Sequence, residues 1–226
     1  GVRAESEVQA VLDDLRRLGA DATYCQGDVG QAEDRASIVA AVKDHFGCAH
    51  LLVNNAGITS PGRRDILDAT EEAFDRVMAV NLRSAFLCCR GVLAGMLERR
   101  VGKIVNVAAG VMDERVDYGV AAYYAAKAGL VNFTRQLAAE TKRHGLHVNA
   151  IDPAGLETEI SEQVMAMEDA DPAFAETQTN LNHGPRLRPP KTIVPLVVFL
   201  LSRFSNMMTG RLLQASAPDD VHYLQL

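Results

Sequence analysis

Tyr123 and Lys127 are the residues whose types and spacing could do chemistry. They lie four positions apart in Tyr-Tyr-Ala-Ala-Lys, at the head of an apolar run from Ala121 to Ala139 that reads as a helix. At that spacing both side chains rise from one helix face, a turn apart. An ammonium close to a phenol favours the phenolate and pulls a tyrosine pKa down from about 10 toward working pH. A tyrosine tuned in this way can pass a proton to or from a substrate oxygen. The pair also arises by chance on amphipathic helices, with the tyrosine half-buried and the lysine snorkelling. The rest of the chain has to decide between these readings.

Other chemistries lack their residues. Cys25, Cys48, Cys88 and Cys89 have no metal-ligand spacing, so no metal site is expected. Cys88-Cys89 falls in a helical apolar pattern, where cysteine is a small buried hydrophobe. The net charge of -6 offers no concentrated basic face for nucleic acid. Arg99-Arg100 and the Arg186 to Arg188 stretch read as solvated faces or loop anchors. His144 ends a helix and His147 begins a strand. No secretory signal opens the chain and no apolar run reads as a membrane span. Together with reduced thiols this suggests a cytoplasmic protein with no membrane partner. At 226 residues and 48% hydrophobic, residues 1–226 read as a single domain.

The elements that must position the pair alternate. Gly1 to Leu18 reads as an amphipathic helix with Val8, Val11, Leu12, Leu15 and Leu18 at helical spacing. Ala20 to Gln26 is a strand candidate, followed by Gly27-Asp28-Val29. Ala32 to Phe46 is a helix with Ile38, Val39, Val42 and Phe46 inward. His50 to Val53 reads as a buried strand ending in Asn54-Asn55-Ala56-Gly57. Thr59 to Ala69 is loop. Thr70 caps a long helix to about Arg99, with Asn81 in its middle. Lys103 to Ala108 is a strand, and 109–120 a loop bearing Asp113, Glu114, Arg115, Asp117 and Tyr118. The Tyr123 helix follows. Leu146 to Ile151 is a strand running into Asp152-Pro153-Ala154-Gly155-Leu156-Glu157-Thr158. A short helix, an irregular stretch with Phe174, Leu181 and Leu187, a helix from Thr192 to Leu201 and a last strand, Arg211 to Gln214, complete the chain. This alternation is the signature of an α/β doubly wound parallel sheet. Ligands bind such sheets beyond the carboxyl ends of the strands. Asn54 to Gly57, Ala108 to Gly110 and Pro153 to Thr158 all fall there.

With those residues in place the chain resembles the short-chain dehydrogenase/reductase family, of the 3-oxoacyl-carrier-protein-reductase kind, from about Leu15 to Leu213. Asn55, Ala56 and Gly57 match the signature that stabilises the sheet and borders the adenine ribose. Asp28 and Val29 match the segment that meets the adenine ring. Asn81 matches the asparagine that holds a proton-relay water, and Tyr123 with Lys127 match the catalytic pair. Val148-Asn149-Ala150-Ile151, Pro153 and Thr158 resemble the segment that grips the nicotinamide carboxamide. The resemblance implies a Rossmann-like fold and NAD or NADP as cofactor. It also implies hydride transfer with a small carbonyl or alcohol substrate, and a homodimer or homotetramer. Arg3 lies close to where the family reads the ribose 2′ position, which tilts the choice toward NADP.

Three departures accompany the resemblance. The family's glycine-rich turn into its first helix has no counterpart, so the chain reads as N-terminally incomplete, lacking a first βαβ unit. The family's serine after its fifth strand is replaced by Ala108-Ala109. Its Pro-Gly is Pro153-Ala154, where a positive φ would strain alanine. An impaired homologue serving as a binding or assembly subunit is therefore the alternative expectation.

Overall fold

A computed structural model describes residues 2–109, 118–170 and 187–215. Strands β1 (Leu51–Asn54), β2 (Gly102–Val107), β3 (Leu146–Asp152) and β4 (Leu212–Gln214) form one sheet in the order β1-β2-β3-β4, with every pairing parallel. The helices are α1 (Glu5–Arg17), α2 (Ala32–Phe46), α3 (Glu71–Met78), α4 (Ser84–Arg99), α5 (Ala121–Thr141), α6 (Glu159–Ala170) and α7 (Val194–Leu201). The doubly wound expectation is borne out. The register sets Leu51 beside Lys103 beside His147, and Asn54 beside Asn106. Parallel strands in this register finish at one edge, where the three motif segments emerge.

Side-chain alternation splits the core between the two faces of the sheet. Ile104, Leu146 and Val148 point to one face and pack with Cys89, Met96, Leu137 and Ala138 of α4 and α5. Val105 and Ile151 point to the other face and meet Leu200 of α7. Pro195 lies in the first turn of α7, where its missing N–H has no helical partner to lose. Thr70 caps α3, its hydroxyl accepting from the Ala73 amide at 3.2 Å.

The long helix differs from its expected form in two ways. A π-helical turn, Ala79–Arg83, joins α3 to α4. The Ser84 amide donates to the Ala79 carbonyl, five residues back, and the Ser84 hydroxyl donates to the Val80 carbonyl. The extra residue in the turn carries Asn81 inward, where it is buried. The whole span Glu71–Arg99 is also long and apolar enough to cross a membrane by length and composition, contrary to the sequence reading. Here Val77, Cys89 and Met96 are buried within the fold.

Ala20 to Gln26 is not a strand. Among the described residues no strand lies beside it to complete a ladder, and a strand without a partner leaves its backbone groups unpaired. Its side chains reach back instead. The Tyr24 hydroxyl donates to the Arg3 carbonyl at 2.5 Å, and the Gln26 amide donates to the Val2 carbonyl at 3.2 Å. The apolar stripe of α1 is likewise mostly uncovered: Leu12 is buried, whereas Val11, Leu15 and Leu18 are exposed. Phe46, expected inward on α2, is exposed as well. The expected loop residues Asp113, Glu114, Arg115, Asp117, Phe174 and Leu181 lie outside the described residues.

Candidate active site

The centre of the carboxyl edge is built by Gly57, Asn81 and Lys127. The Asn81 carboxamide closes a two-way clamp on the backbone of one residue, Ile58. Its oxygen accepts from the Ile58 amide at 2.9 Å and its nitrogen donates to the Ile58 carbonyl at 2.8 Å. The clamp fixes the backbone that leaves β1. The two bonds use one N–H and one lone pair of the carboxamide, which leaves a donor and an acceptor position over. Gly57 sits between this clamp and Lys127. A Cβ at Gly57 would lie 3.2 Å from the Asn81 oxygen and 3.3 Å from the Lys127 nitrogen. Glycine thus keeps the strand end open at the point where both polar tips approach.

Lys127 is 3% exposed, and burial pushes its pKa down from 10.5 to about 8. Desolvation penalises the charged form, and one hydrogen bond, from Nζ to the Val107 carbonyl at 2.8 Å, is what holds it. Its Nζ lies 5.7 Å from the centroid of the Tyr123 ring. Tyr123 is half-buried in the first turn of α5, edge-to-face with Tyr124 at 5.6 Å. A phenol and a dry ammonium therefore share one edge. That combination can hold and move a proton at an oxygen brought to the tyrosine tip.

The flanks of the edge carry the remaining candidates. Asn55 and Ala56 are exposed. Asp28 is engaged rather than free. Its oxygens accept from the Gly30 amide at 2.8 Å and from Arg76 at 2.7 Å. Burial raises its pKa, but the Arg76 hydrogen bond, the Gly30 amide and the nearby guanidinium charges outweigh that and hold it below the usual value. Each carboxylate oxygen still has a lone pair to offer. The Val29 carbonyl accepts from Arg35 at 2.6 Å. An open strand end kept clear by Gly57, flanked by an ionised carboxylate and exposed backbone, fits a dinucleotide along this edge. Arg3 pairs with Glu159, so the cation that tilted the reading toward NADP is already engaged.

After β3 the chain turns sharply. Ala154 has φ 54°, the left-handed conformation foreseen for this position. The Asp152 carboxylate accepts from the Ala154 amide at 3.0 Å and holds the turn despite the Cβ. Arg188 anchors the segment, donating to the Pro153 carbonyl at 2.9 Å, while its own carbonyl accepts from the Glu157 amide at 2.9 Å. Thr158 immediately precedes α6, its amide donating to the Ser161 hydroxyl at 2.8 Å. Of the two alanines after β2, Ala108 is buried against Val131 and Ala150. That leaves Ala109, half-buried, as the position at the site without a hydroxyl.

Some polar residues escaped sequence reasoning. Asn54 donates to Asn106 at 2.8 Å, and Asn106, fully buried, donates to Thr134 at 2.9 Å. This chain ties β1 to β2 and β2 to α5 directly behind the site. The signal was an asparagine inside the apolar run Ile104 to Val107. Arg63 reaches across to donate to the Tyr118 carbonyl at 2.9 Å and 3.1 Å, which fixes the loop after β1 over the approach to α5. Gly119 permits this, since a Cβ there would fall 2.0 Å from the Arg63 carbonyl oxygen. The Ser60 hydroxyl in the same loop is buried and has no hydrogen-bond partner among the described residues.

Comparison with known proteins places this geometry among oxidoreductases. The family model described as enoyl-(acyl carrier protein) reductase matches residues 2–217. The 3-oxoacyl-(acyl-carrier-protein) reductase FabG of Vibrio cholerae is 33% identical over 84% of this chain and 74% of its own length. The inactive 2-(S)-hydroxypropyl-CoM dehydrogenase 2 of Xanthobacter autotrophicus is 36% identical over 92% of this chain and 93% of its own. The crystal structure of a gluconate 5-dehydrogenase from Burkholderia cenocepacia, in complex with NADP and tartrate, superposes with a TM-score of 0.77. It is 27% identical and covers 94% of this chain and 80% of the other.

Proposed function

Because the chain belongs to the short-chain dehydrogenase/reductase family, we propose that it is an NAD(P)-dependent oxidoreductase acting on a small carbonyl or secondary-alcohol substrate. The observation that carries this reading is Lys127, dry and 5.7 Å from the Tyr123 ring, at the open end of a parallel sheet. A bound nicotinamide dinucleotide supplies or accepts the hydride. Tyr123 gives or takes the proton at the substrate oxygen. Lys127 keeps a positive charge near the phenol and lowers the cost of the phenolate. Asn81 positions Gly57 and Ile58 through its clamp. Asp28, Val29, Asn55, Ala56, Gly57, Pro153 and Thr158 line the cofactor's path.

The cofactor is NAD or NADP. NADP is favoured by the gluconate 5-dehydrogenase, whose structure holds it. A homodimer or homotetramer fits a groove of about 500 Å³ between the long helix and α5, lined by Met78, Leu82, Phe86 and Phe133, with Phe86 exposed. Large exposed apolar side chains around such a groove suit a second copy. The cytoplasm is the compartment that fits free thiols at Cys25, Cys48, Cys88 and Cys89.

A second reading, an impaired homologue that binds or assembles without turnover, is favoured by Ala109 and Ala154. The Xanthobacter relative that is called inactive points the same way. Turnover separates the two. A panel of carbonyl substrates is screened with NADPH and NADH, following loss of reduced-nicotinamide absorbance. An active substrate should lose about 100- to 10,000-fold in kcat on Tyr123→Phe. Unchanged turnover in that variant removes Tyr123 from its role.

A further inference from the structure

The amino edge of the sheet, at the opposite end of the strands from Tyr123, holds a second cluster of chemistry-bearing residues that the oxidoreductase reading does not use. A cavity of about 360 Å³ opens there, lined by His50, Arg100, Lys103, His147 and Arg203 among others. Small-molecule sites usually span about 300–1,000 Å³, so the cavity is of ligand size. β2 runs from Gly102 to Val107, which at about 3.3 Å per residue separates the two edges by roughly 16 Å.

Five basic side chains meet at this cavity and no carboxylate lines it among the described residues. None of the five has a salt-bridge partner among those residues, in a chain whose net charge is -6. Chance scatter on an acidic protein does not favour such a grouping, and the uncompensated charges of Arg100, Lys103 and Arg203 around a concavity focus a positive field into it.

The fold holds the charges in place. Lys103 and His147 are adjacent in the β2–β3 register, so their side chains rise from the same face of the sheet. Lys103 donates to the Ser205 hydroxyl at 3.0 Å, which ties it to the 3₁₀ turn Arg203–Ser205 that carries Arg203. Arg100 is fixed in the left-handed conformation, φ 55°, at the end of α4. Its guanidinium donates to the Arg143 carbonyl at 3.1 Å. The His147 Nδ1 is buried and has no hydrogen-bond partner among the described residues. Burial depresses the Lys103 pKa, and burial together with the Lys103 charge depresses that of His147 against the opposing pull of a hydrogen bond to the Met208 backbone. Lys103 is thus held charged at a cost that an anion would relieve, while His147 offers a neutral ring nitrogen.

We propose that the amino-edge cavity is a binding site for a small ligand bearing a phosphate-type dianion, held by Lys103, Arg100 and Arg203 with His50 and His147 completing the ring. Arginine and lysine together suit a tetrahedral oxyanion, the one by its planar fork and the other as a point charge.

The test is a titration of the full-length protein with inorganic phosphate at constant ionic strength, set with chloride. The ring resonances of His50 and His147 are followed by NMR. Saturable shifts at both rings are expected. Arg203→Gln, at an exposed position, should weaken binding at least threefold. Lys103→Gln with Arg203→Gln should weaken it at least tenfold, with the melting transition of each variant recorded to show that it is folded. A parallel titration with glycerol phosphate distinguishes the sources. Tighter binding of the ester identifies a phosphorylated metabolite, and equal or weaker binding identifies free phosphate. Absence of saturable shifts at His50 and His147 overturns the site. Shifts that persist at wild-type affinity in the folded Arg203→Gln variant overturn it as well.

Discussion

The carboxyl edge of the sheet has a braced half and a bare half. Around Gly57, Asn81 and Lys127 every polar tip is engaged: the carboxamide on Ile58, the ammonium on the Val107 carbonyl, and Asn54, Asn106 and Thr134 in a buried chain behind them. Around Ala109 and Ala154 the resemblance leads one to expect a hydroxyl and a glycine, and methyl groups stand there instead. The difference teaches that the surviving motif residues also hold the fold. Asn81 cannot be lost without orphaning the Ile58 backbone, and Asn106 cannot be lost without orphaning its neighbours. A hydroxyl facing a substrate carries no such structural duty, and its loss leaves the sheet intact. Survival of Asn81 alone is thus weak testimony to activity, whereas the pairing of Tyr123 with the buried Lys127 speaks more directly to chemistry.

Substitutions on either half test this division. The largest effect is expected at Ala109. Ala109→Ser restores a hydroxyl donor at the bare half and should raise kcat by about 10- to 100-fold. That falls short of the 100- to 1,000-fold that a well-placed donor is typically worth. An unchanged kcat would mean that the bare half does not limit the reaction. On the braced half, Asn81→Ala removes both partners of the Ile58 backbone and should cost about 2–4 kcal/mol in urea unfolding, since each orphaned group costs about 1–3 kcal/mol. A loss within the noise of the measurement would show that the clamp is dispensable.

Ala154→Gly relieves the left-handed turn and should gain about 1 kcal/mol. A loss of stability would mean that the Cβ is packed productively. A further effect is read through pH. The folded-state pKa of Lys127 is about 8, below its ordinary 10.5, so the unfolded chain binds the extra proton between those values. Stability gained from this residue therefore rises with pH across that window, and the penalty of the buried charge is fully present below about pH 8. Compared with Lys127→Met, the wild-type melting temperature should climb from pH 8 to pH 10. A constant difference would place the titration elsewhere.

Much of the fold was legible in the sequence, because strands and helices alternate clearly and a parallel sheet follows from that alternation. The left-handed Ala154 was legible too, since the Pro-Gly pattern exposed it. Two features were not. The π turn at Ala79–Arg83 keeps helical composition and shifts only which carbonyl each amide meets, so no residue type announces it. The stretch Ala20 to Gln26 has strand-like residues, but strand formation depends on a partner, which is a property of its surroundings and not of its composition. At the site, Tyr123 and Lys127 could be read from spacing, while the near-complete burial of Lys127 could not. That burial comes from β2 and the loop after β1 closing around α5, contacts between segments distant in sequence.

The central claim is that the edge around Gly57, Asn81 and Lys127 receives a nicotinamide dinucleotide. Titrating the full-length protein with NADPH and NADH while following nicotinamide fluorescence tests it most directly. Saturable binding of at least one of them is expected, lost on Gly57→Val, where a branched side chain would meet the Asn81 oxygen and the Lys127 nitrogen. No saturable binding of either dinucleotide to the folded protein would contradict it.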